Sequence, residues 1–286
     1  MDISTGIIFG IIAMLSWGTC DFFIVKAVRK SNVLKTVIWS QTIGLILYYI
    51  IFSLFFKLPI LSPTTIIIIL TTGLLSVIGF LSFCKGLQVG KVSIISPVSA
   101  CWAVITVILS LIFLNETLTS IQSGGVILAI SGTVLTSFKL RDVLKLKLKN
   151  RATGIEYAII SVFATGIYFV FISILVNELS WFLPIFFMKN AALLYLLAYS
   201  AAAKKNISLP KNITSSIILI GTLEAIGFLA YGIGVNSEYT SIVAPISATF
   251  PMVTIILARI FFKERLELNQ KIGIISILCG LVLLSI

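Results

Sequence analysis

The sequence predicts an all-α integral membrane protein with ten transmembrane helices, arranged as two inverted-topology repeats of five helices. Three observations support this fold class. Hydrophobic residues make up 59% of the 286 residues and charged residues only 11%, whereas a soluble globular protein carries roughly 25% charged residues. Ten apolar runs are long enough to cross a bilayer as helices. The second half of the chain also repeats the first.

The ten apolar runs are numbered spans 1 to 10 in chain order. A membrane-crossing helix needs about 20 predominantly apolar residues. Runs of about this length lie at 3–25, 33–56, 65–84, 92–114, 121–138, 154–176, 181–202, 213–235, 240–262 and 268–286.

The internal repeat has an offset of 148 residues. Residues 79–135 align with 227–283 without a gap, and 22 of these 57 positions are identical. The offset places span 1 on span 6 and each later span on its counterpart. Because each copy has five spans, the second copy enters the membrane in the opposite orientation. The predicted units are a first repeat at 1–138, a basic linker at 139–152 and a second repeat at 153–286.

The positive charges predict the orientation in the membrane. All but three of the 21 Lys and Arg residues lie on one side of the predicted spans, the exceptions being Lys57, Lys189 and Arg259. Short cytoplasmic loops are enriched in Lys and Arg. The linker is therefore predicted to be cytoplasmic, and both termini are predicted to lie outside the cell membrane.

Composition argues against several classes of function. The chain has no His, and its four Cys residues are scattered singly through apolar runs. This predicts no metal site, no disulfide framework and no cofactor, and it argues against an enzyme. The net charge of +11 is assigned to topology and to contact with anionic lipid headgroups rather than to nucleic acid.

Two charged residues are predicted to lie deep in the bilayer. At about 1.5 Å per helical residue, Glu224 is roughly 16 Å from the inner end of span 8, and Lys189 is roughly 12 Å from the outer end of span 7. These depths nearly coincide in a hydrocarbon core about 30 Å thick. We expect either a structural ion pair or a working site for a proton or a cation. The equivalent residues in the first copy are the neutral Ser76 and Gln41.

Four other charged residues are predicted near the cytoplasmic interface, where charge costs little. The same depth argument places Asp21 roughly 27 Å along span 1 from its outer end. Lys85, Glu156 and Arg259 are placed at a similar level.

Pro97 and Pro245 stand at equivalent positions near the start of spans 4 and 9. A proline inside a helix leaves the carbonyl four residues earlier without its donor. Those carbonyls belong to Ser93 and Ser241 and would provide polar ligands within the bilayer. The alternative is that each proline occupies a first helical turn, where its missing N–H costs little.

Aromatic residues at matching depth are candidates for the wall of a binding cavity, because they stack on planar solutes and attract cations. They are Trp17, Trp102, Tyr168, Tyr231 and Phe250. Glycines at seven-residue spacing in spans 5 and 10 predict a surface where these helices pack closely. They are Gly125, Gly132, Gly273 and Gly280.

These residues together resemble the drug/metabolite transporter superfamily, EamA type. The similarity rests on the ten spans in two copies, Ser16-Trp17-Gly18 in span 1, the two prolines, Asn115-Glu116 and Lys263-Glu264, and the glycines of spans 5 and 10. It implies a cavity lined by spans 1, 3, 4, 6, 8 and 9, with spans 5 and 10 outside it. By that mapping the cavity-facing residues are Trp17, Trp102, Glu224, Tyr231, Ser247 and Phe250, and Lys189 of span 7 has a structural role.

Two features depart from this resemblance. The second copy has Ala164-Thr165-Gly166 where the first has the tryptophan motif. Many relatives keep their termini in the cytoplasm, against the charge distribution of this chain.

The predicted function is secondary transport of a small metabolite by alternating access. The candidate substrates are amino acids, organic cations and related compounds, with Glu224 binding a coupling proton or the cationic substrate itself. The alternative is a passive pore or a membrane scaffold that transports nothing. The predicted partners are a small-molecule substrate, protons and the lipid bilayer.

Overall fold

The computed structural model describes residues 4–90, 95, 98–138, 140, 153–262 and 266–286. Pro97, the linker apart from Leu140, and Lys263-Glu264 lie outside the described residues. The described chain folds into eleven α-helices and a 3-10 turn at Lys211–Ile213. The helices are α1 Thr5–Lys30, α2 Val33–Phe55, α3 Pro63–Val89, α4 Trp102–Phe113, α5 Ser120–Thr136, α6 Ile155–Leu179, α7 Leu183–Ala202, α8 Thr214–Ser237, α9 Thr240–Ala248, α10 Phe250–Phe262 and α11 Leu268–Leu284.

The helices correspond to the ten predicted spans. Among the described residues, seven segments are long and apolar enough to cross a membrane, namely those of α1, α2, α3, α6, α7 and α8 and the segment Thr240–Phe261. Three shorter apolar helices, Val98–Phe113, Ser120–Thr136 and Leu268–Leu284, lie where spans 4, 5 and 10 were predicted. The all-α membrane fold class is confirmed.

Several helices begin at side chains that satisfy the free N–H groups of the first turn. The side chains of Ser4, Asn32 and Ser62 accept backbone hydrogen bonds at the starts of α1, α2 and α3. Thr119 and Gln122 form a reciprocal capping box at the start of α5. These caps fix where the four helices begin.

Helix α1 extends beyond the apolar run of span 1. Its membrane-crossing segment is Thr5–Val25, as predicted, and the helix continues to Lys30. Charged residues are compatible with a helix once it has left the hydrocarbon, so apolar length underestimates helical length. Asp21 lies four residues, or roughly 6 Å, before the end of the membrane-crossing segment.

Span 9 is interrupted at Thr249, which separates α9 from α10. Pro245 lies inside α9, beyond its first turn. The helix nevertheless continues to Ala248, and the interruption falls two residues before Pro251, which has no N–H to donate. Span 4 is interrupted at the equivalent residue, Cys101. The interruption thus belongs to both copies.

The two copies pack against each other with two-fold symmetry. Helix α1 packs along α8, and α3 packs along α6. Because the offset relates span 1 to span 6 and span 3 to span 8, each pair is the symmetry mate of the other. With five spans per copy, the copies cross the membrane in opposite directions.

A pair of hydrogen bonds repeats this symmetry at atomic detail. Thr106 Oγ1 donates to the carbonyl of Gly166 at 3.1 Å. The equivalent Thr254 Oγ1 donates to the carbonyl of Gly18 at 2.8 Å. Each bond joins a span of one copy to a span of the other, so the same contact ties span 4 to span 6 and span 9 to span 1.

Glycines allow the close helix crossings. In the α1–α8 crossing, a Cβ on Gly227 would meet the indole of Trp17, and in the α3–α6 crossing, a Cβ on Gly79 would lie 2.8 Å from Thr165 Oγ1. At the outer edge, α5 and α11 touch backbone to backbone. A Cβ on Gly132 would lie 2.7 Å from the carbonyl oxygen of Gly273. The predicted close packing of spans 5 and 10 is confirmed.

Candidate functional site

A cavity of about 110 Å³ lies between the two copies. Its lining residues come from spans 1 to 4 and spans 6 to 9. It borders two hydrophobic clusters, one around Trp17 and Phe169 near the middle of the molecule and the other around Ile24 and Val37. A cavity of this size accommodates several water molecules or a small solute.

The cavity lies on the two-fold axis that relates the copies. Its lining contains seven pairs of residues that the 148-residue offset makes equivalent. These pairs are Trp17/Thr165, Cys20/Tyr168, Asp21/Phe169, Gln41/Lys189, Ser76/Glu224, Phe80/Phe228 and Trp102/Phe250. Within most pairs the two side chains differ in chemistry, so the backbone around the cavity is symmetric and its lining is not.

Glu224 is the acceptor of a buried charged cluster. Its Oε1 atom lies 2.7 Å from Lys189 Nζ and accepts a hydrogen bond from Gln41 Nε2 at 2.8 Å. The side chains of Lys189 and Glu224 are 5% and 10% exposed. Lys189 Nζ also lies 3.8 Å from the ring centroid of Phe228, where the face of the ring attracts the cation. The cluster thereby offsets the cost of burying both charges.

An aromatic wall closes one side of the cavity. Trp102 stacks on Phe169 with ring centroids 4.3 Å apart, and Trp17 makes an edge contact with Phe228 at 5.2 Å. Tyr168 lies 4.5 Å from Phe169. The rings come from spans 1, 4, 6 and 8, so both copies contribute to one wall.

Asp21 is a second carboxylate on the cavity lining. It lies one helical turn after Trp17 on the same face of α1. It is partly buried, and no hydrogen bond or ion pair joins it to a described residue. The membrane-crossing segment of α1 ends at Val25, four residues later, so the cavity extends close to the end of span 1.

The structure brings most of the predicted site residues together. Trp17, Trp102, Tyr168, Glu224 and Phe250 line the cavity with Lys189. Lys189 does so although span 7 was not expected to contribute.

Two predicted residues lie elsewhere. Tyr231 is fully buried behind the wall, 4.5 Å from Phe169. Ser247 donates a hydrogen bond to the carbonyl of Gly10 at 3.4 Å and is not part of the lining. Both residues lie in the spans expected to line the cavity, but their side chains face away from it.

Sequence reasoning missed several lining residues, among them Asp21, Gln41, Ser76, Phe169 and Phe228. The repeat carries the signal that identifies most of them. When a cavity lies on a two-fold axis, the repeat-equivalent of each lining residue is also expected to line it. Glu224 thus predicts Ser76, Lys189 predicts Gln41, and Asp21 predicts Phe169. Asp21 was expected only as a charge near the membrane interface, and its place on the cavity lining was not predicted.

Comparison with known proteins gives the family. The model of the EamA-like transporter family matches residues 4–138 and again 152–286. The chain belongs to the EamA-like transporter family. This EamA-like protein is therefore a membrane transporter of the drug/metabolite type, and each of its two copies matches the family model separately.

A relative and a solved structure resemble the EamA-like protein. An uncharacterised protein of Methanocaldococcus jannaschii is 36% identical over 133 residues, which is 46% of this chain and 96% of that protein. The relative is thus about as long as one repeat. A crystal structure superposes on all of this chain and 99% of its own with a TM-score of 0.73 at 16% identity. At this identity the likeness concerns the fold alone.

Proposed function

We propose that this EamA-like transporter carries a small metabolite across the cell membrane by alternating access around the cavity between its repeats. The observation that supports this most is the position of the cavity on the two-fold axis. In inverted-repeat transporters, one repeat moves against the other around a site near the middle of the membrane. A site on the axis stays in place while its two sides open in turn.

The lining favours a solute that is small, partly apolar and positively charged or zwitterionic. Aromatic rings provide stacking surfaces and attract cations, and the buried carboxylates favour positive charge. The candidate substrates are amino acids, organic cations and related compounds. Glu224 takes part either by binding a coupling proton or by exchanging Lys189 for a cationic group of the solute.

The proposed orientation of the protein in the membrane is based on the lysines at the helix ends. Lys30, Lys35 and Lys204 lie at the end of the molecule toward which the cavity extends from Trp17, and Lys57 lies at the opposite end. With the basic end in the cytoplasm, both termini are outside, the basic linker 139–152 between the repeats is cytoplasmic, and the aromatic wall lies on the external side of the cavity. Labelling of single cysteines placed at residues 4 and 205, with a reagent that does not cross membranes, tests this orientation in intact cells.

The function is tested by reconstitution in liposomes. Uptake of an amino-acid, polyamine and organic-cation panel is measured with and without an imposed pH gradient. Saturable uptake that an excess of unlabelled solute inhibits supports the proposal, and stimulation by the gradient supports proton coupling. Non-saturable flux favours a passive pore, and no flux for any solute together with no thermal stabilisation favours a scaffold.

A further inference from the structure

Asp21 lies on a stripe of α1 that faces the cavity. The stripe contains Trp17, Cys20, Asp21 and Ile24, whose spacing of three and four residues places them on one helix face. A cation held by the Asp21 carboxylate would therefore also contact the Trp17 ring one turn away.

The charges that line the cavity do not balance. Among the described lining residues, Asp21 and Glu224 are acidic and Lys189 is basic. Lys189 is bound to Glu224 at 2.7 Å and covered by the Phe228 ring. Asp21 thus has no cation among the described residues, although a partly buried carboxylate in a membrane protein is costly without a partner.

A second lining residue also has an unsatisfied polar group. Ser99 of span 4 is 4% exposed, and its hydroxyl oxygen is buried without a hydrogen-bond partner. Buried hydroxyls nearly always have a partner. The cavity therefore presents an acid from the first span that has no cation among the described residues, and a hydroxyl from the fourth span that has no hydrogen-bond partner.

We propose that Asp21 binds the ammonium group of a small organic cation inside the cavity, while Lys189 and Gln41 hold Glu224 as a positioning group. The Trp17 ring contacts the apolar part of the bound cation, and the Ser99 hydroxyl supplies a further hydrogen bond. This proposal rests on the proposed transport function and names its solute class. It assigns different roles to the two acids, because Lys189 neutralises Glu224 and no described cation neutralises Asp21.

Thermal unfolding of the ligand-free, full-length protein tests the different roles. Removal of an unpaired buried charge relieves its desolvation, so Asp21→Asn is expected to raise Tm by about 3 °C or more. Glu224→Gln is expected to lower Tm, because it leaves Lys189 unpaired. Glu156→Gln removes an exposed carboxylate and should leave Tm unchanged. A fall of Tm in Asp21→Asn would show a structural role and overturn the proposal.

Binding of a probe cation tests the solute class directly. Benzylammonium is compared with benzyl alcohol, its neutral counterpart, at constant ionic strength, by thermal shift and by tryptophan fluorescence. We expect benzylammonium alone to stabilise the wild type, and we expect its affinity for Asp21→Asn to fall at least about tenfold. Glu156→Gln should bind as the wild type does. Equal binding of both probes, unchanged affinity in Asp21→Asn, or binding of neither probe would overturn the proposal.

The transport assay separates this inference from the proposed function. Saturable uptake of a neutral or anionic solute that Asp21→Asn leaves intact would keep the transporter and reject the role of Asp21. No saturable uptake of any solute would reject the transport function itself. Saturable uptake of an organic cation by the wild type, lost in Asp21→Asn and kept in Glu156→Gln, supports both.

Discussion

Gln41 and Lys189 occupy equivalent positions in the two repeats, and both donate to the same oxygen atom of Glu224. The two donors approach from opposite sides of the two-fold axis, one from span 2 and the other from span 7. The symmetric backbone therefore provides two places from which a cation can neutralise Glu224, and only one of them holds a lysine.

Moving the lysine across the axis is the first test. Lys189→Gln alone leaves Glu224 buried without a cation and should destabilise the protein by about 3 kcal/mol. Adding Gln41→Lys returns a cation to the same oxygen from the other side. We expect the double variant to recover most of the loss in urea or thermal unfolding, with Gln41→Lys alone as the control. A double variant as unstable as Lys189→Gln would contradict the equivalence of the two positions.

Loss of the acid is the second test. Glu224→Gln leaves Lys189 without its counterion, in the cavity proposed to hold the solute. We therefore expect lower stability of the protein and loss of saturable uptake. A second variant distinguishes the two effects. Lys189→Gln combined with Glu224→Ser recreates the neutral pair of the first repeat and should unfold at a higher temperature than either single variant. Normal uptake by a folded Glu224→Gln protein would exclude this acid from the mechanism.

The crossing of α1 and α8 is the third test. Gly227→Ala would force a methyl group into the indole of Trp17, and such overpacking costs about 1–3 kcal/mol. Gly124→Ala is a matched control, because a Cβ at that glycine meets nothing within 4 Å. The control should be neutral or stabilising by up to about 1 kcal/mol. Equal stability of the two variants would show that α1 and α8 can separate at no cost.

The start of α9 is the fourth test. The Glu116 carboxylate accepts the N–H groups of Thr240 at 2.8 Å and Ser241 at 2.7 Å, and so caps α9 of the other repeat. Glu116→Ala should cost about 1 kcal/mol and speed amide exchange at Thr240 and Ser241. Glu116→Gln keeps one acceptor oxygen and should have an intermediate effect. Unchanged exchange in Glu116→Ala would mean that the cap does not hold the helix end.

The sequence was most informative where physical constraints act along the chain. Apolar length and the internal repeat predicted the spans and their order, since the bilayer requires a minimum length of apolar helix. The depths of Lys189 and Glu224 followed from counting residues, and the structure joins them as an ion pair.

The direction in which side chains face was harder to predict. Tyr231 and Ser247 belong to spans that line the cavity, but they contact Phe169 and Gly10 rather than the cavity. The face that a helix presents depends on how it is rotated by its neighbours, and that rotation depends on crossings such as Trp17 against Gly227. The position of a residue along its helix therefore does not predict which neighbour its side chain faces.

The helix ends were predicted less fully than the spans. The apolar run of span 1 ends near residue 25, as does the membrane-crossing segment Thr5–Val25, whereas α1 itself continues to Lys30. Pro245 was expected either inside its helix or in a first helical turn, and it lies inside α9, with the interruption of span 9 at Thr249. Apolar length indicates the part of a helix that the bilayer covers, not the turns beyond it.

The unlike chemistry of most of the seven equivalent residue pairs has a thermodynamic consequence. An exchange of conformation between the two repeats would return the backbone to an equivalent arrangement related by the two-fold rotation, but it would carry Asp21, Gln41 and Ser76 to the places of Phe169, Lys189 and Glu224. The state open to one compartment and the state open to the other would then differ in affinity for the same solute. Half-saturation would occur at different concentrations on the two faces, while the final gradient would still depend only on the driving force.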